Sequence, residues 1–370
     1  MKANQKTVHI KNSSNRTLFL LCLWLIAAHM AAQAILTDKN NGQPIPYAQI
    51  TDKNGVTIGT TDENGMFPEN LAPGKATIQH LAYDPKEIEC GGLTADTVIT
   101  LTPRFYTLGE VNVSADGMDY IHMRTYFRSY QLNDSCMKYY KDGFADFFID
   151  IKKKKSKPIS HGSKRFVSQL RNFENKRLTD KDRKRANTMT DKFTAMPYLE
   201  KHTLMEKLKR EGMTFSSDTP VGGIWHDGTM AGTVSTDTVS GISCVTYNAL
   251  ENKKEKTGTL FGYTTRLVSH LLSETYHYRK GAQPYSSLIN RKGYRKIFYK
   301  HKKDSVWQTI EVTDELYVLK NECVSSEKMK EITAALESPK SEAAPDSSLV
   351  QPLNRPLAMT LETEMTQTGR

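Results

Sequence analysis

The chain has 370 residues, 51 Lys+Arg against 41 Asp+Glu, a formal charge of +10, and 5 cysteines. That length allows two or three domains, and wide cysteine spacing with no Cys-x-x-Cys pair excludes a zinc or dithiol redox motif. The positive balance would point to nucleic acid or an anionic surface, but its distribution along the chain has to be read first.

Lys2, Lys6, Lys11 and Arg16 stand in an acid-free N-terminal stretch, Leu18 to Ala32 is apolar apart from His29, and Ala32-Gln33-Ala34 offers a small-x-small cleavage site. The pattern predicts a secretory signal peptide over 1–34; the apolar core falls short of the roughly 20 residues a spanning helix needs. An uncleaved anchor is the rival reading. Leu21 before Cys22 argues against a lipoprotein site. Cleavage after Ala34 leaves little of a first strand before Asp38, a tension that earlier cleavage would relieve. No later stretch is long and apolar enough to span a membrane as a helix. Export would put Cys90, Cys136, Cys244 and Cys323 in an oxidising compartment, either as two disulfides of undetermined connectivity or as buried thiols.

From Lys152 to Arg210 there are 19 Lys/Arg against 6 Asp/Glu, whereas residues 35–115 carry 5 basic and 10 acidic side chains. A mildly acidic module thus adjoins one strongly basic segment.

The acidic module runs Gly42-Gln-Pro-Ile-Pro-Tyr-Ala48, Gly59-Thr-Thr-Asp-Glu-Asn-Gly-Met-Phe67, Pro73-Gly74, Tyr83-Asp84-Pro85, Leu101-Thr102-Pro103 and Leu108-Gly-Glu-Val-Asn-Val113. Short apolar alternations between Asx-Gly and Pro-Gly turns predict a small β-sandwich. Tyr47, Ile50, Val56, Ile58, Phe67, Ile78 and Leu81 form its expected core, with Val98, Ile99 and Leu101 on its last strand. Asp52-Lys-Asn-Gly55 and Asp62-Glu-Asn-Gly65 read as hairpin turns. A calcium loop is their rival, but neither copy supplies a suitable acidic residue at the twelfth position.

In this order the motifs resemble the carboxypeptidase-regulatory-like (peptidase-associated, transthyretin-like) domain of bacterial envelope proteins. The resemblance covers roughly 80 residues and implies an Ig/transthyretin-like sandwich without peptidase chemistry of its own. In many relatives such a domain precedes a TonB-dependent receptor. Here 257 residues follow Val113, too few for a plug and about 22 strands of about 10 residues, so no receptor barrel is expected.

Beyond the sandwich, Met123–Gln131 and Tyr139–Ile151 are rich in aromatic and β-branched residues and predict paired strands about a turn at Asp142-Gly143. Lys152, Lys153, Lys154 and Lys155 end the second strand and are candidate contacts for an anionic surface. Ser163 to Lys192 is expected to be helical or unstructured. Export disfavours nucleic acid, leaving a solvated connector, or an anionic lipid or glycolipid surface, as the readings of this segment. Strands are then expected at Thr229–Thr236, Ile242–Leu250, Gly258–Ser269, Glu274–Arg279, Tyr294–His301, Val306–Thr313 and Leu316–Val324. The Gly258-Thr-Leu-Phe-Gly262 stretch with its Tyr/His/Arg-rich partner is similar to the curved open sheets of periplasmic lipid-carrier folds. Glu337 to Arg370 reads as a disordered tail.

No His-Glu-x-x-His, Gly-x-Ser-x-Gly or phosphate-binding glycine loop occurs. His270, Glu274 and His277 have metal-like spacing on a helix, but a strand sends His277 the other way. Trp225, His226 and Asp227 mark a candidate binding loop, or a plain turn with a buried Trp. The fold expected is therefore mainly β: a sandwich over 35–115, then a β-rich antiparallel-sheet domain over 116–335 with a basic, partly helical insertion at 152–210. The function expected is an exported, non-enzymatic binding or scaffold protein, periplasmic or outer-membrane-associated. It needs no cofactor, and its partner is an envelope protein or an anionic lipid surface. The competing class is an envelope hydrolase with its site in the second domain.

Overall fold

The computed structural model describes residues 33–94, 96–106, 117–168, 179–181, 198–216, 221–238, 240–250, 255–260, 262–278, 284–337 and 345–368. The first six strands are β1 (Ile35–Asp38), β2 (Gln49–Asp52), β3 (Thr57–Thr60), β4 (Lys75–Gln79), β5 (Lys86–Glu89) and β6 (Val98–Leu101). They form a four-stranded sheet in the order β3-β2-β4-β5 and a parallel β1-β6 pair, with Leu36, Ile50, Phe67, Ile78 and Leu101 buried in one cluster. Both Asx-Gly turns spend their carboxylates on the backbone. Asp52 Oδ1 accepts from Asn54 N and Val56 N, and Asp62 Oδ1 from Asn64 N and Met66 N, all at 2.8–2.9 Å. Of the expected core, Ile58 is 37% exposed, Tyr47 is only half-buried, and Leu81 and Val56 pack with side chains of the second sheet instead. Ala34, assigned to the leader above, is buried in the sandwich and accepts from Phe67 N. The Leu108–Val113 motif lies outside the described residues.

The second half is one twelve-stranded antiparallel sheet. Its strands are β7 (Tyr120–Asn133), β8 (Cys136–Asp150), β9 (Ser156–Ser168), β10 (Thr214–Phe215), β11 (Val221–His226), β12 (Thr229–Asp237), β13 (Ile242–Asn248), β14 (Lys256–Leu260), β15 (Tyr263–His277), β16 (Leu288–His301), β17 (Gln308–Val324) and β18 (Met365–Gln367). The order is β10-β11-β12-β13-β15-β16-β17-β7-β8-β9-β18, with β14 on β15. It is a meander except where β15 follows β13, where β17 returns to pair with β7 and where β18 pairs with β9.

Several expected boundaries move. The β7–β8 turn is Asp134-Ser135, at φ 44° and 77°, not Asp142-Gly143. Gly143 sits inside β8 at a register shift against β9, where a Cβ would lie 2.7 Å from Ser163 Cα; here Asp-Gly marks close backbone approach and not a hairpin. Residues 258–269 are not one strand, because the chain turns at Gly262 (φ 79°) and β15 then runs unbroken past 270–273. The two strands expected between Val306 and Val324 are one, with a bulge at Val318/Lys320. Ser163–Ser168, expected to be helical or unstructured, belongs to β9.

Each long strand alternates between two faces. On one face pack Ile121, Met123, Phe127, Phe147, Val245 and Leu316, covered by Leu204 and Leu208 of α1 (Leu204–Arg210) together with Leu199 and Met213. The other face holds Tyr126, Arg128, Tyr130, Lys292, Lys296, Glu311, Glu315 and Tyr317, and meets the sandwich. Thr57 N donates to Glu311 Oε2 (3.2 Å), Lys296 Nζ to Thr57 O (3.4 Å) and Asn290 Nδ2 to Tyr106 Oη (2.9 Å). Arg128 pairs with Glu315, which also accepts from Tyr317 Oη at 2.9 Å and lies 3.5 Å from Lys292.

The tail is not a disordered appendage. Gln351 Nε2 donates to His80 O and Tyr83 O, and Asn354 Nδ2 to Thr51 Oγ1. In α3 (Arg355–Glu364), Leu357 is buried against Tyr130, Leu132, Met137 and Tyr140, and β18 pairs with β9. Sparse apolar residues made this stretch look unfolded, but Val350, Leu353, Leu357, Leu361 and Met365 pack into clusters with the sheet, and Met359 is left exposed. α2 (Ser326–Leu336) starts on Asp119, whose Oδ2 accepts from Ser326 N and Oγ. No helix among the described residues is long and apolar enough to cross a membrane. No disulfide joins Cys90, Cys136, Cys244 or Cys323 to another of the four.

Candidate functional site

Two cavities lie on the side of the sheet under α1. α1 begins on a capping box in which Thr203 and Glu206 satisfy each other's backbone N–H groups. Its first N–H, that of Leu204, donates to the buried Glu274 Oε2 of β15 at 2.7 Å, and Tyr276 Oη donates to the same oxygen. Arg291 Nε lies 3.6 Å from Glu274 Oε1. Burial alone would lower the Arg291 pKa, but Glu274 and its neighbours outweigh that and hold it above the usual arginine value. Glu274 therefore anchors a helix and pairs with Arg291 across the ladder.

Two cavities border the 198–206 stretch. The first, of about 180 Å³, has an apolar floor of Phe127, Leu272 and Leu316, with Tyr198, His270, Arg291, Arg295 and Asp314 around it. Gly293 lies between the two arginines and leaves the floor open. The Arg291 guanidinium stacks over Tyr198 at 5.4 Å. Arg295 Nη2 lies 3.0 Å from Asp314 Oδ2, and Asp314 Oδ1 accepts from Ser129 Oγ at 2.6 Å. His270 is neutral at physiological pH: burial, then the nearby Arg295, Lys256 and Lys207, lower its pKa to about 4. Two guanidiniums above an apolar floor suit a ligand with an anionic head and an apolar body. The second cavity, of about 260 Å³, is walled by Ile121, Ile149, Ile151, Pro284, Tyr285 and Ser286 and rimmed by Asp150, Lys154, Lys201 and Glu206.

A third constellation lies on the opposite face. Asp146, almost fully buried, accepts His122 Nε2 on Oδ1 (2.5 Å) and pairs with His161 Nε2 through Oδ2 (2.6 Å); His122 Nδ1 is 3.1 Å from Glu322 Oε1. Phe148 stacks on His122 at 4.8 Å. These residues line neither of the two cavities, and their hydrogen bonds bind β7, β8, β9 and β17 together.

The sequence-nominated residues are distributed unevenly over these features. Trp225, His226 and Asp227 end the β11–β12 hairpin, whose turn is Asp227-Gly228 at φ 47° and 76°. Trp225 is 39% exposed, contrary to the buried Trp expected: a bulge at Ile224/Trp225 turns it outward and its indole lies over Gly223. His226 Nε2 is 3.9 Å from the exposed Asp227 Oδ2. These three residues border neither cavity. Of the lysine run, Lys152 and Lys153 donate their backbone N–H to Asp150 Oδ1, and Lys154 alone borders one of these two cavities. His270 and Glu274 share a face of β15, yet Glu274 is committed to α1 and Arg291. No group of three or more His, Cys, Asp or Glu side chains able to hold a metal occurs among the described residues. Arg291 lies before the strand expected from Tyr294, and Arg295, inside that strand, stood there without its partner two residues earlier. The period-two spacing Arg291-x-Gly293-x-Arg295 was the available signal.

No protein-family model and no curated protein matches the chain.

Proposed function

We propose that the chain is an exported, non-enzymatic binding protein of the bacterial cell envelope whose large sheet holds an amphipathic anionic ligand. The observation behind this reading is the first cavity, where Arg291 and Arg295 flank Gly293 above Phe127, Leu272 and Leu316. The sandwich and tail support the reading in a different way from the accessory role expected of them: they brace the opposite face and leave the α1 face to the ligand. The basic leader-like N-terminus and the resemblance of residues 35–115 to an envelope module support the compartment.

A hydrolase is the competing class, since Ser129, His270 and Asp314 share the cavity. Yet Ser129 Oγ donates to Asp314, and His270 stands three strand spacings away, roughly 14 Å at the backbone. A nucleophile needs its base within hydrogen-bond reach. The test is native mass spectrometry of protein purified from envelope fractions, followed by calorimetric titration with an alkyl phosphate. Binding that is lost in Gly293→Leu and weakened about tenfold in Arg295→Gln is expected, the size of one charge-assisted contact. Absence of any co-purifying amphiphile together with unchanged titration in both variants would refute the reading.

A further inference from the structure

We propose that one end of the large sheet docks on an anionic phospholipid bilayer, with Lys302 and Lys303 meeting the head groups and Trp307 entering the interface. None of these residues lines the first cavity, so the inference does not depend on that cavity being occupied.

Strand register brings three turns to this end. Tyr263 stands opposite His301, and Lys302 N donates to Gly262 O at 2.8 Å, so the β14–β15 and β16–β17 turns touch. The stem of Lys302 also lies against Gly262, where a Cβ would be 3.4 Å from its Cδ. The β7–β8 turn is tied on beside them: Asp134 N donates to Thr309 O and Thr309 N to Asp134 Oδ1.

The charges at this end do not cancel. Residues 255–260, 262–266 and 300–307 include Lys256, Arg266, Lys300, Lys302 and Lys303 against only Glu255 and Asp304. Both acids are committed. Glu255 Oε2 accepts from Arg266 Nε at 2.9 Å, and the buried Asp304 accepts from His301 N at 3.0 Å. Even with Asp134 of the neighbouring turn counted, two positive charges remain in excess. Lys256, Lys302 and Lys303 are exposed and have no ion-pair partner among the described residues. The Lys152–Lys155 run lies at the far end of β8, roughly 45 Å of strand away. It is partly neutralised, with Lys153 3.9 Å from Asp150 and Lys154 3.3 Å from Glu206.

Trp307 turns a basic patch into a membrane-facing one. It is 36% exposed where the β16–β17 turn meets its strand, and the Arg266 guanidinium stacks on it at 5.4 Å. Tryptophan concentrates at the level of lipid head groups, where one part of the ring is apolar and the N–H stays wet. Basic side chains beside it add attraction to anionic heads. Lysines spread over two turn tips match a surface of many such heads better than one small anion.

The test is co-sedimentation of the full chain with vesicles of phosphatidylglycerol mixed with phosphatidylcholine, against phosphatidylcholine alone. Partition onto the anionic vesicles should be the stronger and should fall as salt rises. One lysine near such a surface is worth about fivefold, so Lys302→Gln with Lys303→Gln should weaken partition about 25-fold at low salt and leave the urea midpoint unchanged. Trp307→Ala should weaken partition at high salt as well as low. Lys152→Gln with Lys153→Gln, and Gly293→Leu in the first cavity, should leave partition unchanged. Equal partition onto both vesicle types, or no effect of the Lys302/Lys303 variant, would overturn the docking surface. No effect of Trp307→Ala would reduce it to a general polyanion contact and overturn the bilayer assignment. Loss of partition in Gly293→Leu would move the lipid contact to the first cavity, overturning this inference while leaving the first-cavity reading standing.

Discussion

His80 should make the protein sensitive to mild acid through the junction of sandwich and sheet. The ring is buried, and its Nδ1 accepts from Ala82 N at 3.2 Å, so that nitrogen carries no proton. Tyr83 packs edge-on at 5.2 Å, and Lys292 of the sheet lies close enough to oppose a second positive charge. Burial first, and Lys292 second, lower the His80 pKa from 6.5 to about 4. In the unfolded chain the ring takes up its proton near pH 6.5, whereas the folded protein excludes it until about pH 4. The unfolded state therefore binds more protons between these values, and the contribution to stability is complete above pH 6.5 and lost as pH falls through 4. A shift of about 2.5 units corresponds to roughly 3 kcal/mol at 1.36 kcal/mol per unit. The assay is urea unfolding at pH 7.5, 6, 5 and 4.5 for the wild type and for His80→Asn, whose side-chain oxygen can keep the Ala82 bond without titrating. Asn should impose a constant packing cost but lose about 2 kcal/mol less than wild type between pH 7.5 and 4.5. Parallel stability–pH curves would refute the reasoning, because other titrating groups cancel in the difference.

Asp134 should show the opposite sign. Burial raises its pKa to about 6 against the lowering effect of Thr309 N, so the folded state holds the extra proton and stability falls as pH rises from about 4 to 6. Asp134→Asn tolerates φ 44° and should be more stable than wild type at pH 7.5 by about 1–2 kcal/mol, after discounting for partial exposure; equal urea midpoints at pH 7.5 would contradict this. Leu357→Ala should cost about 2–4 kcal/mol and open the tail to limited proteolysis between 345 and 368 before the sheet is cut; a resistant tail would mean that Leu357 does not anchor it. Trp225→Ala should change stability by about 1 kcal/mol or less and leave ligand titrations unaltered, as expected of a hairpin tip away from both cavities; a change in binding would restore the loop as a site.

The mainly β class was legible because its signals are local. The Asp52–Gly55 turn announced the β2–β3 hairpin, and aromatic-rich alternation announced β7 and β8. The misplacements are equally local in cause. Asp142-Gly143 and Asp134-Ser135 both satisfy turn chemistry, and only the approach of Ser163 to Gly143 shows which one bends the chain. The cavities were not legible, since their residues meet through pairings such as β17 with β7, some 190 residues apart in sequence. Tyr285 and Ser286, which line the second cavity, lie in a short 3-10 turn that no periodicity reveals.

The two faces of the large sheet solve different problems. Strands of 13–17 residues are far longer than the usual five or six, and both of their surfaces need cover. On the sandwich face the strands present Arg128, Glu315, Lys292, Glu311 and Lys296, and such charges are tolerable in a buried layer only when each is paired and held in place. That requirement makes the sandwich and tail rigid partners of the sheet and unsuitable as a moving lid. The α1 face has a different character: its cover is a seven-residue helix tied down by Glu274, and the gaps beside it have apolar floors with edges charged in both signs. A ligand entering there would exchange water for isoleucine, leucine and phenylalanine walls without disturbing the ion pairs behind them. Adjustment to a ligand should accordingly be concentrated in 198–213, the one described cover of that face held mainly by side-chain packing and a single capped helix.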